Sequence, residues 1–418
     1  MSRVSARLGV VLVLALVAGA LVACGSDEAD SPAERRARER ETIERIRLQV
    51  ATVRGLKWKE SLDVRIVSRR ELQRQLKHLE ERDALPERDQ VDEEILKLLN
   101  LIPDDLDLEI AVEELLATQV VGFYDTETKG LFVVGEADGK LSPDTQVTIA
   151  HELDHALTDQ HFGFGAFTDA LDDADRQEEL LAYTALIEGD AVLLQSLWAQ
   201  RYLSGAEQGS LGAELDASGL DTIPRYLRES LVFPYTSGLD FAFERYRTTR
   251  SFAGVDAAWR RPPTSSEEIL HPERYTEAQQ WQAPGLPDFS AAEGCLLVRT
   301  GTLGEFDMRQ VLGVHLTDRD AERAVDAWAG DAFAFLRCGA DSLLVERWRA
   351  DDEIAARRLN AALERWARAW SRARSGRDAE GSFAGPGGAG RIVRDGVEVS
   401  MIVADDVATA ERFAPTLG

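Results

Sequence analysis

"TIAHELDHALTDQH", residues 148–161, holds three of the chain's six histidines, with a glutamate directly after the first of them. Upstream, Ser142-Pro143 reads as an N-cap followed by proline at the first helical position, and no breaker follows before Gly163. The stretch is therefore expected to be one continuous helix. Residues four apart lie on the same helix face, so His151 and His155 can aim both imidazoles at a single ion, with Glu152 to the side. This is the His-Glu-x-x-His arrangement of a zinc site. A catalytic tetrahedral zinc takes three protein ligands and one water, so a third ligand has to be found.

His161 has the spacing of the last histidine in the metzincin pattern HExxHxxGxxH, but Thr158 stands where that pattern has glycine. A continuous helix turns by about 100° per residue, so a residue six positions after His155 points away from the metal face. Threonine is β-branched and resists the left-handed conformation that would break the helix. Glu188 is the other candidate. It lies in "AYTALIEGDAVLL", residues 182–194, within an apolar stretch expected to form a second long helix from about Asp175 to Leu203. A carboxylate there needs a partner, because burying it unpaired is costly. Ala185, Gly189 and Ala191 are small enough to let this helix pack closely on the histidine helix. Glu188 is the expected third ligand and His161 the alternative. Tyr235, His271 and Tyr275 are candidate donors to a developing oxyanion, Tyr235 and His271 being the candidate catalytic residues among them. Asp159 is a candidate to orient an imidazole.

Outward from these helices the pattern is α+β. "QVVGFYDTETKGLFVVG", residues 119–135, reads as a β-hairpin with its turn at 125–130. From about residue 286, strands such as "GCLLVRTG", "FAFLRCG" and "SLLVERW" take over. Leu359, Leu363, Trp366 and Trp370 then form a helical stripe, and "RIVRDGVEVSMIV" a hairpin turning at Asp395-Gly396. Residues 35–285 and 286–418 are read as two regions, the second a C-terminal α+β region, with a Gly-rich loop at roughly 375–391. His78 sits among charged residues of a helix, and His315 in a strand-end or loop context.

The formal net charge of −26, from 48 basic and 74 acidic residues, argues against nucleic acid or an anionic membrane surface as a partner. The N-terminus is a targeting segment: Arg3 and Arg7 precede an apolar run from Val10 to Val22, too short to span a bilayer stably. It ends in "LVAC", like a bacterial lipoprotein signal in which the cysteine becomes the lipidated N-terminus. Residues 1–24 are accordingly expected to be a lipoprotein signal ending at Cys24. Residues 25–34 would be a flexible tether, and the mature chain would be anchored through lipid outside the cytoplasmic membrane. Cys295 and Cys338 remain, either paired or as two separate buried thiols.

Taken together, "GFYDTETKGLFVV", "HELDHALTDQHF", "ALIEGDA", "FPYTSGLDF" and "PPTSSEEILHPERY" resemble a group of functionally uncharacterised exported bacterial zincin-like proteins, over roughly residues 50–350. The resemblance implies a gluzincin-type metallopeptidase scaffold: a helical domain with a small sheet and an active-site helix. It would hold one Zn2+ on His151, His155 and Glu188, with Glu152 as general base toward a peptide or protein substrate, and the 119–135 hairpin would belong to the sheet beside the metal. "EGDA" is similar to the Glu-Gly-x-Ala of aminopeptidase-type members. The competing expectation is a non-catalytic zinc-binding lipoprotein that serves as an envelope binding or assembly module. A further one is that the stretch before the hairpin is a built-in inhibitor.

Overall fold

The computed structural model of the chain describes residues 31–83, 85–112, 122–211, 223–276, 281–289, 294–371 and 381–417. The segment read as a lipoprotein signal, with Cys24, lies outside these residues. The tether read at 25–34 ends earlier than expected. Ser31 accepts the backbone N–H of Glu34 while the Glu34 side chain caps Ser31 N–H, and this capping box starts α1 at Pro32 (Pro32–Arg54).

Two hydrophobic cores organise the fold. The first surrounds α4 (Pro143–Phe162) and α6 (Gln177–Tyr202), and draws in α1, α5 (Phe164–Asp173), α8 (Arg225–Thr249) and α9 (Ala253–Arg260). Its small sheet consists of β1 (Asp63–Val67), β2 (Gly122–Asp125) and β3 (Gly130–Val134), in the order β1-β3-β2. β2 and β3 form the hairpin, antiparallel with Tyr124 opposite Leu131, and β1 adds in parallel on the far side of β3. This leaves β2 at an edge, next to α4.

The second core is built on a six-stranded antiparallel sheet in the order β4-β5-β6-β9-β8-β7. These strands are Leu296–Gly301, Trp328–Cys338, Asp341–Ala350, Glu398–Ala404, Gly388–Asp395 and Ser382–Gly385, in the same order. Alternate residues of a strand face opposite sides. Thus Phe333 and Phe335 of β5 pack with the Leu359, Leu363, Trp366 and Trp370 stripe of α13 (Glu353–Trp370), while Ala334 and Leu336 pack with Phe413 of α14 (Val407–Phe413). The β8–β9 hairpin turns at Gly396, whose φ of +55° suits glycine. Within the segment read as a Gly-rich loop, residues 382–385 form β7 and residues 388–391 belong to β8.

The packing cuts across the boundary read at residue 285. Leu72 and Leu76 of α2 (Arg69–Asp83) and Ile95 and Leu96 of α3 (Pro86–Leu98) are buried in the same core as α13 and the large sheet. α10 (Ser266–Leu270) and α11 (Gly304–Gly313) bridge the two halves, with the backbone N–H of Phe306 donating to Ser266 Oγ at 3.0 Å. Cys295 and Cys338 are joined by a disulfide at the end of β5. The architecture is a mixed α+β fold.

Candidate metal centre

α4 starts as its sequence demands: Ser142 accepts from Thr145 N–H, Pro143 occupies the first turn, and the helix runs to Phe162 before Gly163 closes it in the left-handed conformation at φ +67°. At Thr158 the helix continues without a break, its hydroxyl bonding back to the Asp154 carbonyl at 2.8 Å. His151 and His155 lie one turn apart, ring centroids 4.5 Å apart and edge-on. Glu188 reaches them from α6, with Oε2 3.1 Å from His151 Nε2 and 3.5 Å from His155 Nε2. One ligand atom from each of the three lies within 4.8 Å of the others, and all three side chains are at most 1% exposed.

The hydrogen bonding shows what this group lacks. His151 Nδ1 faces Gln195 Oε1 at 3.0 Å, so Nδ1 carries the proton and Nε2 presents a lone pair. That lone pair points at the Glu188 carboxylate, acceptor against acceptor, unless a cation lies between them. Both ring nitrogens of His155 and Oε1 of Glu188 are buried without a hydrogen-bond partner. Buried polar atoms are normally satisfied. Unpartnered donors of metal-ligating type converging on one point fit a bound cation, and this buried His/His/Glu group could hold a metal ion.

Ionisation agrees. Burial, helped by neighbouring His155, holds the His151 imidazole below its ordinary pKa, in the neutral form that ligates metal. Burial pulls the Glu188 carboxyl upward, yet positive character at the His155 and His151 positions brings it below its ordinary value, the effect a cation between the three groups would have. Glu152 is pushed well above the ordinary carboxylate range, by burial first and then by Glu188. Its Oε2 accepts the backbone N–H of Tyr124, on the edge strand β2, at 2.8 Å, while its Oε1 is buried and unpartnered.

The other sequence candidates divide. The ring of Tyr235, carried by α8, lies nearly parallel to that of His151 with centroids 6.3 Å apart. His161 does not join the group: its Nε2 bonds the Lys57 carbonyl at 2.8 Å, because the unbroken helix turns it away. His271 caps the end of α10 and bonds Glu305 of α11 at 2.9 Å, an interaction that raises its pKa; this places it in the α10–α11 seam. Tyr275 donates to the Arg261 carbonyl. Asp159 orients no imidazole and instead accepts from Tyr124 Oη at 2.8 Å and Lys129 Nζ at 2.6 Å.

Gly189 of α6 acts differently from the expectation. A Cβ on Gly189 would collide with the backbone of Gly238 on α8, and a Cβ on Gly238 with the Ala185 carbonyl. The close crossing is therefore with the Tyr235 helix rather than with α4. Gln195 and the Tyr124 amide were missed by sequence reasoning. Gln195 was detectable, since it is a polar residue seven positions after Glu188, two turns along the same face.

Residues 296–414 match the family model of a domain of unknown function (DUF8575), a match confined to the region of the large sheet. No curated protein matches the chain. Among solved structures, the chain is similar to a protein from Chloroflexus aurantiacus provisionally named a hydrolase with a novel fold. The similarity has 16% identity and a TM-score of 0.39, and covers 65% of this chain and 94% of that one.

Proposed function

We propose that the protein is a zinc-dependent peptidase, tethered by lipid at Cys24 on the outer side of the cytoplasmic membrane. The observation that carries this reading is the convergence of His151, His155 and Glu188 on one buried point, with an unpartnered oxygen on Glu152, the residue after His151. A divalent ion held there would supply a Lewis acid and lower the pKa of a bound water to about 7. Zinc suits two imidazoles and a carboxylate, although such sites accept other first-row ions according to geometry and supply.

The chain's own residues supply the remaining chemistry. The Tyr124 amide pins Glu152 Oε2 and leaves Oε1 as the proton acceptor, which takes a proton from the attacking water and passes it to the leaving amine. Tyr235, beside His151, is the candidate donor to the carbonyl oxygen as charge develops on it. The disulfide between Cys295 and Cys338 supports a location in an oxidising compartment, in keeping with the export signal.

A second reading, a zinc-binding lipoprotein without catalysis, is favoured by one observation: His151, Glu152, His155 and Glu188 are each at most 1% exposed. Metal content and casein cleavage, measured on the protein and on Glu152→Gln, separate the two. A peptidase keeps its zinc and loses cleavage in the variant. Equal cleavage by both removes Glu152 as base, and tightly held zinc with no cleavage of any peptide library supports the binding module.

A further inference from the structure

Arg54 is the last residue of α1, yet it is only 2% exposed. Its guanidinium meets three carboxylates from three helices. Nη2 lies 2.9 Å from Asp190 on α6, Nη1 2.6 Å from Asp256 on α9, and Nε 3.7 Å from Asp154 on α4. The Phe252 ring covers it, 4.5 Å from the guanidinium carbon. The positions of the partners matter. Asp154 immediately precedes the ligand candidate His155, and Asp190 follows Glu188 by two residues.

α9 adds a second tie. The Trp259 indole N–H donates to Asp190 Oδ2 at 2.7 Å, and its ring stacks on Phe162, centroids 5.2 Å apart and 3° from parallel. Trp259 also neighbours Phe164, whose ring lies 6.1 Å from His155.

Such a cluster is an expensive way to stabilise a fold. Three carboxylates outnumber one guanidinium, and both Asp154 oxygens and Asp190 Oδ1 are buried without a hydrogen bond. Buried ion pairs are often no more stabilising than apolar residues of similar volume, so their use here calls for a geometric reason. The two ligand-bearing helices supply it, because His155 and Glu188 come from different helices and their spacing must be fixed within fractions of an ångström.

We propose that Arg54 is a positioning residue of the metal centre, holding α4 and α6 in register beside His155 and Glu188. The inference rests on the metal reading above. It also gives the N-terminal helix a role opposite to that of a built-in inhibitor: α1 completes the site rather than blocking it.

The test is a Co2+ titration of the purified protein, followed by visible absorption, beside Arg54→Lys. Lysine keeps the charge but loses the planar fork that spans three partners. For a variant folded by circular dichroism, the expected result is Co2+ affinity weaker by about 10–100-fold, the range seen for residues that support ligands indirectly, together with a changed d–d spectrum. Unchanged affinity and spectrum, with only a lowered melting temperature, would make Arg54 merely structural and overturn the proposal. If Arg54→Lys does not fold, Trp259→Phe keeps an aromatic ring and removes the bond to Asp190; a shifted spectrum supports the clamp and an identical one refutes it. His161→Ala serves as the control expected to bind Co2+ as the parent does. A parent protein that takes up no Co2+ sinks the metal reading and this inference with it, whereas a binding parent and an indifferent Arg54→Lys sink the inference alone.

Discussion

Both halves of the molecule bury carboxylates, and two of these, Asp331 and Glu188, are treated in opposite ways. Between the α10–α11 seam and the large sheet, Asp331 is fully buried but accepts the N–H groups of Leu303 at 2.7 Å, Gly304 at 2.8 Å and the Trp328 indole at 2.8 Å. It caps the start of α11, whose N-terminus favours negative charge. Asp307, in the first turn of that helix, accepts from Tyr226 Oη at 3.1 Å. Around α4 and α6, by contrast, His155 and Glu188 carry unpartnered atoms of ligand type, and their ligand atoms and that of His151 lie within 4.8 Å of one another. Burial of an acid is therefore a weak sign of a site. Convergence of unsatisfied ligand atoms is the stronger one.

The sharpest way to break this contrast is to remove a ligand. Glu188→Ala is expected to weaken Zn2+ binding by more than about a hundredfold, beyond what loss of an indirect support costs, while Asp331→Asn leaves it unchanged; chelator competition on both variants would check this. Next in size is the close crossing of α6 and α8. Gly189→Ala forces a methyl into the Gly238 backbone and should lower stability by about 3 kcal/mol, read by thermal or denaturant unfolding.

The seam makes a prediction about pH. Burial lifts Asp307 to about 6, above its ordinary value of 3.8. A raised acid favours the native state only while protonated, so its contribution is greatest below the unfolded pKa and is lost as pH rises toward 6. Asp307→Asn should flatten the stability profile between pH 4 and pH 6 and stabilise the protein at pH 7 by up to about 3 kcal/mol. A variant profile parallel to the parent's would contradict that assignment. A smaller effect is expected at Gln195. Gln195→Leu removes the acceptor that fixes His151 Nδ1–H, and zinc affinity should fall about tenfold with the fold intact.

Much of the centre was legible in the sequence because helical periodicity is local. The four-residue step from His151 to His155, the cap at Ser142-Pro143 and the unfavourable glycine substitute Thr158 are all read within twenty residues. Glu188 was reachable because a carboxylate in an apolar stretch of helix demands a partner. What stayed hidden depends on tertiary contact. Nothing in "ATVRGLK" announces that Arg54 enters a pocket of three aspartates, since its partners come from residues 154, 190 and 256. His271 is engaged by Glu305, 34 residues along the chain, a partner its own stretch does not disclose. The division at 285 followed a change from helical to strand pattern, but α2 and α3, which precede it, bury Leu72, Leu76, Ile95 and Leu96 in the core of the large sheet.

The central claim is that one zinc sits on His151, His155 and Glu188. X-ray absorption at the zinc edge of the purified, metal-replete protein tests it most directly. The expected result is one zinc per chain with two imidazole nitrogens at about 2.0–2.1 Å and the rest of its coordination from oxygen, lost in His155→Ala and kept in His161→Ala. A chain that retains no metal, or a site with three imidazoles that depends on His161, would contradict it.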